Sequence, residues 1–195
     1  MELETTQEHT IGSHQDKTIL GFWIYLMTDL IMFAALFATY SVLRANIFGG
    51  PGAEELFGLN NALIETGILL TSSFTCGLGL LFAKMQNLKQ TYIWFGVTFL
   101  LGLSFLVLEL KEFGDLVKEG YSWQSNAFLS SFFTLVGTHG LHITVGLLWL
   151  AVVFFMIMKK GLTHKILSIL TRLSLFWHFL DVVWIFIFTI VYLLK

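Results

Sequence analysis

Residues 127–158 have the sequence AFLSSFFTLVGTHGLHITVGLLWLAVVFFMIM and contain no Asp, Glu, Lys or Arg. A helix needs about 20 predominantly apolar residues to cross the hydrocarbon core of a bilayer. The run exceeds that length and predicts a membrane-spanning helix. At about 1.5 Å per residue the helix would measure roughly 48 Å, so we expect it to tilt or to extend beyond the membrane.

Similar apolar runs lie on both sides of this stretch. The four further predicted spans are residues 19–43, 60–83, 92–110 and 172–194. A polar segment, residues 1–18, precedes them. The sequence thus predicts an all-α protein, an integral membrane bundle of five transmembrane helices at residues 19–195 that follows a polar cytoplasmic tail.

The composition agrees with a membrane protein. Of 195 residues, 56% are hydrophobic and 12% are charged, whereas a soluble domain has about 25% charged residues. The net charge is −2 and basic residues form no patch, so no nucleic acid is expected as a partner. The five spans leave no room for a soluble catalytic domain.

The distribution of basic residues predicts the orientation. With a cytoplasmic N-terminus, seven basic residues lie inside and four lie outside, which satisfies the excess of Lys and Arg in cytoplasmic loops. The inner set is Lys17, Lys84, Lys89, Lys159, Lys160, Lys165 and Arg172. The C-terminus is then expected on the periplasmic or external side.

Small residues four positions apart predict close helix contacts, because they let helix backbones approach in lipid. The pairs are Ala34/Ala38, Ala35/Thr39, Ser73/Gly77 and Thr98/Gly102.

Ionisable residues inside spans are costly and often functional. The seven in this chain are candidates for a structural, lipid-binding or proton network: Asp29, Glu65, Glu109, His139, His142, His178 and Asp181.

His139 and His142 share a helix face. They could belong to a metal or haem site, or each could hydrogen-bond a neighbouring helix. A metal site needs further ligands, and the spans offer only one other histidine, so we favour packing.

His178 and Asp181 could form a proton relay or a buried pair that satisfies itself, and Asp29, at a similar depth, could join them. Glu65 could serve a proton path or a carrier, or be structural. For Glu109 the simpler alternative is that it lies near the interface and is solvated by water and Lys111.

Three segments resemble the haem–copper terminal oxidase subunit III family. They are GFWIYLMTDLIMFAALFATY at 21–40, GTHGLHITVGLLW at 137–149 and SLFWHFLDVVWIFIFTIVYL at 174–193. The five-span form is most similar to the branch found in bo-type ubiquinol oxidases. Glu109 and Glu112 match a Glu-x-x-Glu pattern of the family, and a carboxylate role carries over to Glu65 by region only.

The resemblance implies a non-catalytic subunit III of a proton-pumping quinol oxidase, which oxidises ubiquinol and reduces oxygen to water in aerobic respiration. It implies haems and copper in subunit I, no catalytic, cofactor or metal residue in this chain, and bound phospholipid. Expected partners are subunit I, subunit II and a small subunit IV in the bacterial inner membrane. It further implies support of subunit I and its proton uptake.

Two alternatives remain open. The chain could be subunit III of a cytochrome c oxidase, since it need not contact the electron donor. It could also be an independent proton-coupled carrier, although carriers often show inverted repeats and helices broken near the midplane. The sequence shows neither.

Overall fold

The chain folds as a helical bundle in a computed structural model that describes residues 2–46 and 58–194, with side chains from residue 17 onward. Over those ranges there are five α-helices and no strand, so the predicted fold class is confirmed. The helices are α1 (Glu2–Leu43), α2 (Leu59–Lys84), α3 (Leu88–Lys118), α4 (Ala127–Lys160) and α5 (His164–Ile187), and a π-helical segment (Phe188–Leu193) continues α5. Each is long and apolar enough to cross a membrane.

The helices extend beyond the apolar runs that predict the spans. Polar caps explain where three of them begin, since the side chains of Asn87, Asn126 and Thr163 accept hydrogen bonds from backbone N–H groups of the first turn. α4 ends at Gly161, which has a φ of +66° and donates its N–H to the Ile157 carbonyl at 2.8 Å.

The charged residues after position 110 therefore continue α3 rather than forming a loop. Two features extend this helix to Lys118. Leu116 is buried against the bundle, and Lys118 forms an ion pair with Asp115 at 3.1 Å. With 31 residues, α3 measures about 46 Å, so its charged last turns reach the headgroup layer if its centre lies at the membrane midplane.

α5 lies at the centre of the contacts, packing against α1, α2 and α4, while α3 packs against α2 and α4. Trp177 and Trp184 of α5 are fully buried. The Trp177 Nε1–H donates to Ser72 Oγ of α2 at 3.1 Å, and Ser72 Oγ donates to the Thr98 carbonyl of α3 at 3.3 Å. Hydrogen bonds therefore connect three helices through the interior.

The predicted small-residue contacts occur in α2 and α3. A Cβ added at Gly102 would lie 2.8 Å from the Trp177 ring, and one at Gly77 would lie 3.9 Å from His178 Nε2. Thr98 Oγ1 is 2.9 Å from Thr75 Oγ1. These residues bring α2, α3 and α5 together.

The same prediction is wrong for α1. Its four small residues, Ala34, Ala35, Ala38 and Thr39, are exposed on this chain. α1 instead packs through Leu26, Phe33 and Tyr40, which recur every seven residues and are almost fully buried. Large side chains at that spacing form a single stripe, and the small residues lie on another face.

Candidate functional site

Polar side chains inside the bundle form three clusters. The first joins α1 to α4 through Asp29 and His142, with His139 behind it. The second joins α2 to α5 through Ser73, His178 and Asp181. The third lies where α2 begins and α3 and α5 end, and its members are Glu65, Glu109, Glu112 and Tyr192.

The first cluster is an acid–imidazole pair between two helices. Asp29 Oδ2 lies 3.8 Å from His142 Nε2. His142 Nδ1 lies 2.7 Å from the Thr138 carbonyl oxygen. Because a carbonyl can only accept, Nδ1 carries the proton, and Nε2 faces the carboxyl. Tyr25, one turn earlier in α1, lies within electrostatic reach of the Asp29 carboxyl.

His139 lies one turn before His142 in a different environment. It is completely buried, and its ring is surrounded by Phe33, Phe105 and Trp184 at centroid distances of 6.4, 5.9 and 5.4 Å. Neither ring nitrogen has a hydrogen-bond partner among the described residues. His139 is therefore packed as an aromatic ring.

The second cluster lies at the surface of the bundle. Ser73 Oγ of α2 is 2.6 Å from His178 Nδ1 of α5, and Asp181 of α5 lines the same surface cavity as these two residues. His178 is exposed on the isolated chain, although it lies well inside a span. A shallow cavity of about 420 Å³ is lined by these three residues together with Gly77.

The third cluster contains three carboxyl groups within electrostatic reach of one another, namely those of Glu65, Glu109 and Glu112. Tyr192 Oη donates a hydrogen bond to Glu112 Oε2 at 3.3 Å. Glu65 and Glu109 are each 2% exposed, and one oxygen of Glu65 and both of Glu109 lack a partner among the described residues.

A cavity opens beside this third cluster, between the start of α2 and the end of α3. Its volume is about 250 Å³, and Glu65, Glu112 and Lys111 line it. Glu109 is not part of its lining and packs on the other side, where a Cβ added at Gly140 of α4 would lie 2.8 Å from Glu109 Oε1.

The structure corrects three expectations about these residues. Asp29 pairs with His142 rather than joining His178 and Asp181, because α1 packs against α4 at that level. Glu109 is buried rather than solvated near Lys111, because α3 continues for nine more residues beyond it. The histidines of α4 do not each hydrogen-bond a neighbouring helix.

Sequence reasoning left Glu112 out of the candidate network and did not identify Ser73 or Tyr192 as members. Glu112 was noted only as part of the Glu-x-x-Glu pattern. Its spacing of three residues from Glu109 could have identified it as a member, because residues three apart are neighbours on a helix surface. Ser73 and Tyr192 carried no comparable signal, since hydroxyl groups are common in spans and only the packing of α5 brings these two to their partners.

The residues that the structure describes do not assemble a metal site. No group of three or more His, Cys, Asp or Glu side chains in the described ranges comes together in a way that could hold a metal ion. His139 contacts aromatic rings, His142 contacts Asp29, and His178 contacts Ser73. The three imidazoles therefore do not converge on one point.

Comparison with known proteins identifies the family. The chain matches the family described as cytochrome c oxidase subunit III over residues 1–195. The chain belongs to this family. Its members are subunits of terminal oxidases, which are oxidoreductase complexes of several subunits, and the resemblance found in the sequence is confirmed.

Three curated relatives show the range of names within the family. The chain is 49% identical to cytochrome bo(3) ubiquinol oxidase subunit 3 of Pseudomonas aeruginosa over 95% of this chain and 92% of the relative. It is 47% identical to quinol oxidase subunit 3 of Bacillus subtilis, over 90% and 86%. It is 46% identical to cytochrome c oxidase subunit 3 of Bacillus sp. strain PS3, over 90% and 84%.

Proposed function

We propose that this subunit III serves a proton-pumping ubiquinol oxidase of the bacterial inner membrane and that it carries no redox centre itself. The observation that carries the proposal is the 49% identity to a bo(3) ubiquinol oxidase subunit 3 over nearly the whole chain. Haems and copper then belong to subunit I. In this proposal the chain stabilises subunit I and its proton uptake, binds phospholipid, and also meets subunit II and a small subunit IV.

The position of His178 supports a partner on the α2–α5 face. His178 is exposed on the isolated chain, and it lies 14 residues after the start of α5. At about 1.5 Å per residue this is roughly 21 Å into the helix, well inside the hydrocarbon core. Polar side chains at that depth almost always face protein or a water-filled cavity rather than lipid. We propose subunit I as the protein that covers it.

In the proposed role, the intramembrane residues order the bundle rather than perform redox chemistry. Three groups of side chains each join two or more helices. They are the Asp29–His142 pair, His139 with its aromatic neighbours, and His178 with Asp181, which face Ser73 of α2. Glu65 and Glu109 have buried oxygens that find no partner among the described residues, which makes them the candidates for a protonation role.

The assignment is tested by tagging the chain, purifying it from its own membrane in mild detergent and recording a reduced-minus-oxidised visible spectrum. We expect haem bands, a larger histidine-rich membrane subunit in the same preparation, and oxygen uptake that depends on ubiquinol. A colourless protein that purifies alone would contradict the subunit assignment.

A second electron donor is supported by one relative. Because the Bacillus sp. strain PS3 protein is named a cytochrome c oxidase subunit 3, the same fold serves in a complex of that name. The preparation should therefore be assayed with reduced cytochrome c as well as with ubiquinol. Turnover with cytochrome c alone would replace the quinol proposal and keep the family assignment.

The proposed orientation places the N-terminus in the cytoplasm and the C-terminus outside. The test starts from a chain in which the buried Cys76 is replaced by serine. A single cysteine is then introduced at Lys118, whose side chain is 78% exposed, or at Lys160, the exposed last residue of α4. A membrane-impermeant maleimide should label Lys118→Cys in spheroplasts and Lys160→Cys only after lysis. The reverse pattern would invert the topology.

A further inference from the structure

The cavity between α2 and α3 is lined by an excess of acidic side chains. Of the described residues that line it, four are acidic and one, Lys111, is basic. The acidic residues are Glu65, Glu112, Asp115 and Glu119. Ile64, Leu108 and Leu116 add apolar side chains to the same cavity. A fitting occupant therefore combines a positive charge with an apolar part.

Glu65 is the acidic side chain in this cavity that most needs a partner. It is 2% exposed, it lines the cavity, and its Oε2 atom has no hydrogen-bond partner among the described residues. The Glu112 carboxyl lies within electrostatic reach of it. A buried carboxyl oxygen without a donor costs free energy, and two neighbouring carboxyl groups repel each other when both are ionised. A cation that contacts both carboxyl groups removes both costs.

The basic side chains that the structure places near the cavity do not supply this cation. Lys111 is exposed and forms no ion pair with the residues that the structure describes. Lys118 pairs with Asp115 at 3.1 Å on the exposed side of α3. The described ranges also contain no group of three or more His, Cys, Asp or Glu side chains that could hold a metal ion. The cation that suits the cavity is therefore an organic one from another molecule.

The size of the cavity suits one long side chain. At about 30 Å³ per water, its volume of about 250 Å³ equals roughly eight water molecules. A helix measures about 10–12 Å across with its side chains, so no helix enters such a space. A single extended side chain with a charged end and an apolar stem fits it.

The depth of the cavity agrees with a basic side chain of a neighbouring membrane subunit. Glu112 lies six residues before the end of α3, or about 9 Å along the helix axis. With α3 centred on a hydrocarbon core of about 30 Å, its last 8 Å or so lie in the headgroup layer. Long basic side chains of membrane proteins extend towards this boundary. A subunit beside α2 and α3 thus presents such side chains at the level of Glu112.

We infer that the cavity between α2 and α3 is a docking pocket for an arginine side chain of a neighbouring subunit in the oxidase assembly. The guanidinium donates to Glu65 and Glu112, and the methylene stem lies along Ile64 and Leu108. Arginine suits the pocket better than lysine because its planar fork presents donors to two carboxyl groups at once. It also keeps its charge when buried, whereas a buried lysine readily loses its proton.

This inference deepens the partner contacts of the proposed function, and it rests on the assembly of this chain with other oxidase subunits. The docking pocket is separate from the face that carries His178, since no described residue lines both cavities. The chain therefore offers its partners two polar contacts, one inside the hydrocarbon core and one at its boundary.

The first test is photo-cross-linking in the intact assembly from which the chain purifies. A photoreactive p-benzoylphenylalanine replaces Asn61, which is exposed and lines the cavity. The same replacement at Asn60 is the matched control, because Asn60 is also exposed but does not line the cavity. After illumination, mass spectrometry sequences the cross-linked peptides and locates the labelled position in each. Neither replacement touches a buried side chain, so the test does not depend on a variant that impairs folding.

We expect the probe at Asn61 to label a segment of another subunit that has an arginine within one helical turn of the labelled position. The probe at Asn60 should not label that segment. The inference is overturned if the Asn61 probe labels a partner segment without an arginine in reach, labels only this chain, or labels no protein.

Variants then test the contacts of the arginine that cross-linking locates. The readout is the rate at which this chain leaves the assembly in detergent. Glu65→Gln and Glu112→Gln should each speed release by at least about tenfold, because loss of one member of a buried charge pair acts on the dissociation rate. Lys89→Gln, at the exposed opposite end of α3, is the control and should leave the rate unchanged.

A double-variant cycle shows whether the arginine and the carboxyl groups act together. Replacing the partner's arginine with glutamine should speed release about as much as Glu112→Gln does. Combining the two should add little, because each substitution removes the same contact. Fully additive effects would contradict the pairing.

Haem bands and ubiquinol-dependent oxygen uptake are recorded from the same preparations. If the cross-link to an arginine segment is missing from an assembly that shows both, the docking pocket is wrong and the oxidase proposal stands. A colourless chain that purifies without other subunits would contradict the proposed function and this inference together.

Discussion

The Oδ2 atom of Asp29 lies 3.8 Å from the Nε2 atom of His142, and this contact ties the first helix of the bundle to the fourth. α1 is exposed over most of its surface, and a few large side chains account for its packing on this chain. The pair is therefore the main polar connection that holds α1 in register with α4.

We predict that Asp29→Ala and His142→Ala each lower the free energy of unfolding. The double variant should lower it by less than the sum of the two single effects. Residues in direct contact couple by about 0.5–3 kcal/mol, because the second substitution removes a side chain whose partner the first has already removed. The measurement is the free energy of unfolding of the purified chain in detergent. Strict additivity would show that the two side chains do not interact. Thr39→Ala, on the exposed face of α1, is a control that should have little effect.

His139 and His142 should respond in opposite ways to the same substitution. His139→Leu removes two buried nitrogens that have no partner in the part of the chain that the structure describes, so we expect it to be neutral or to stabilise by about 1–3 kcal/mol. His142→Leu removes a hydrogen bond to Thr138 and the contact to Asp29, and it should destabilise. Thermal unfolding of both variants provides the comparison. Severe destabilisation by His139→Leu would mean that a partner or ordered water bonds this ring.

Gly102 should not tolerate a methyl group. A Cβ there would lie 2.8 Å from the Trp177 ring and 3.1 Å from Leu147, so we expect Gly102→Ala to cost about 1–3 kcal/mol through overpacking. Gly96 lies in the same helix and has nothing within 4 Å of an added Cβ. Gly96→Ala should instead gain up to about 1 kcal/mol from helix propensity. Equal effects at the two positions in thermal unfolding would contradict this packing.

Gly140 tests the position of the Glu109 carboxyl. A Cβ at Gly140 would meet Glu109 Oε1 at 2.8 Å, whereas one at Gly137 would lie 3.7 Å from the Phe113 ring, an ordinary contact. We therefore expect Gly140→Ala to destabilise the chain by about 1–3 kcal/mol and Gly137→Ala to be tolerated. Adding Glu109→Ala should reduce the destabilisation that Gly140→Ala causes, because it removes the carboxyl from the position of the new methyl group. An unchanged destabilisation would mean that the carboxyl lies elsewhere.

The number and type of helices followed from the sequence because crossing a membrane imposes a length and a polarity that are local properties of the chain. Backbone groups in hydrocarbon must bond within their own segment, so a long apolar run without charge can only be a helix or a barrel strand. The residues at which the helices begin and end were harder to predict from the sequence. The charged last turns of α3 resembled a loop, and only burial of Leu116 and the cap residues define where these helices stop and start.

The sequence alone determined that this protein is a five-helix membrane bundle with seven ionisable side chains inside its spans. Only the tertiary structure decided how these side chains are grouped, because partners on different helices depend on which helices pack together and at what rotation. Asp29 meets His142 and Tyr192 meets Glu112 across more than 75 residues of sequence. No local sequence pattern predicts such contacts, whereas the hydrophobicity that defines a span is a property of each segment by itself.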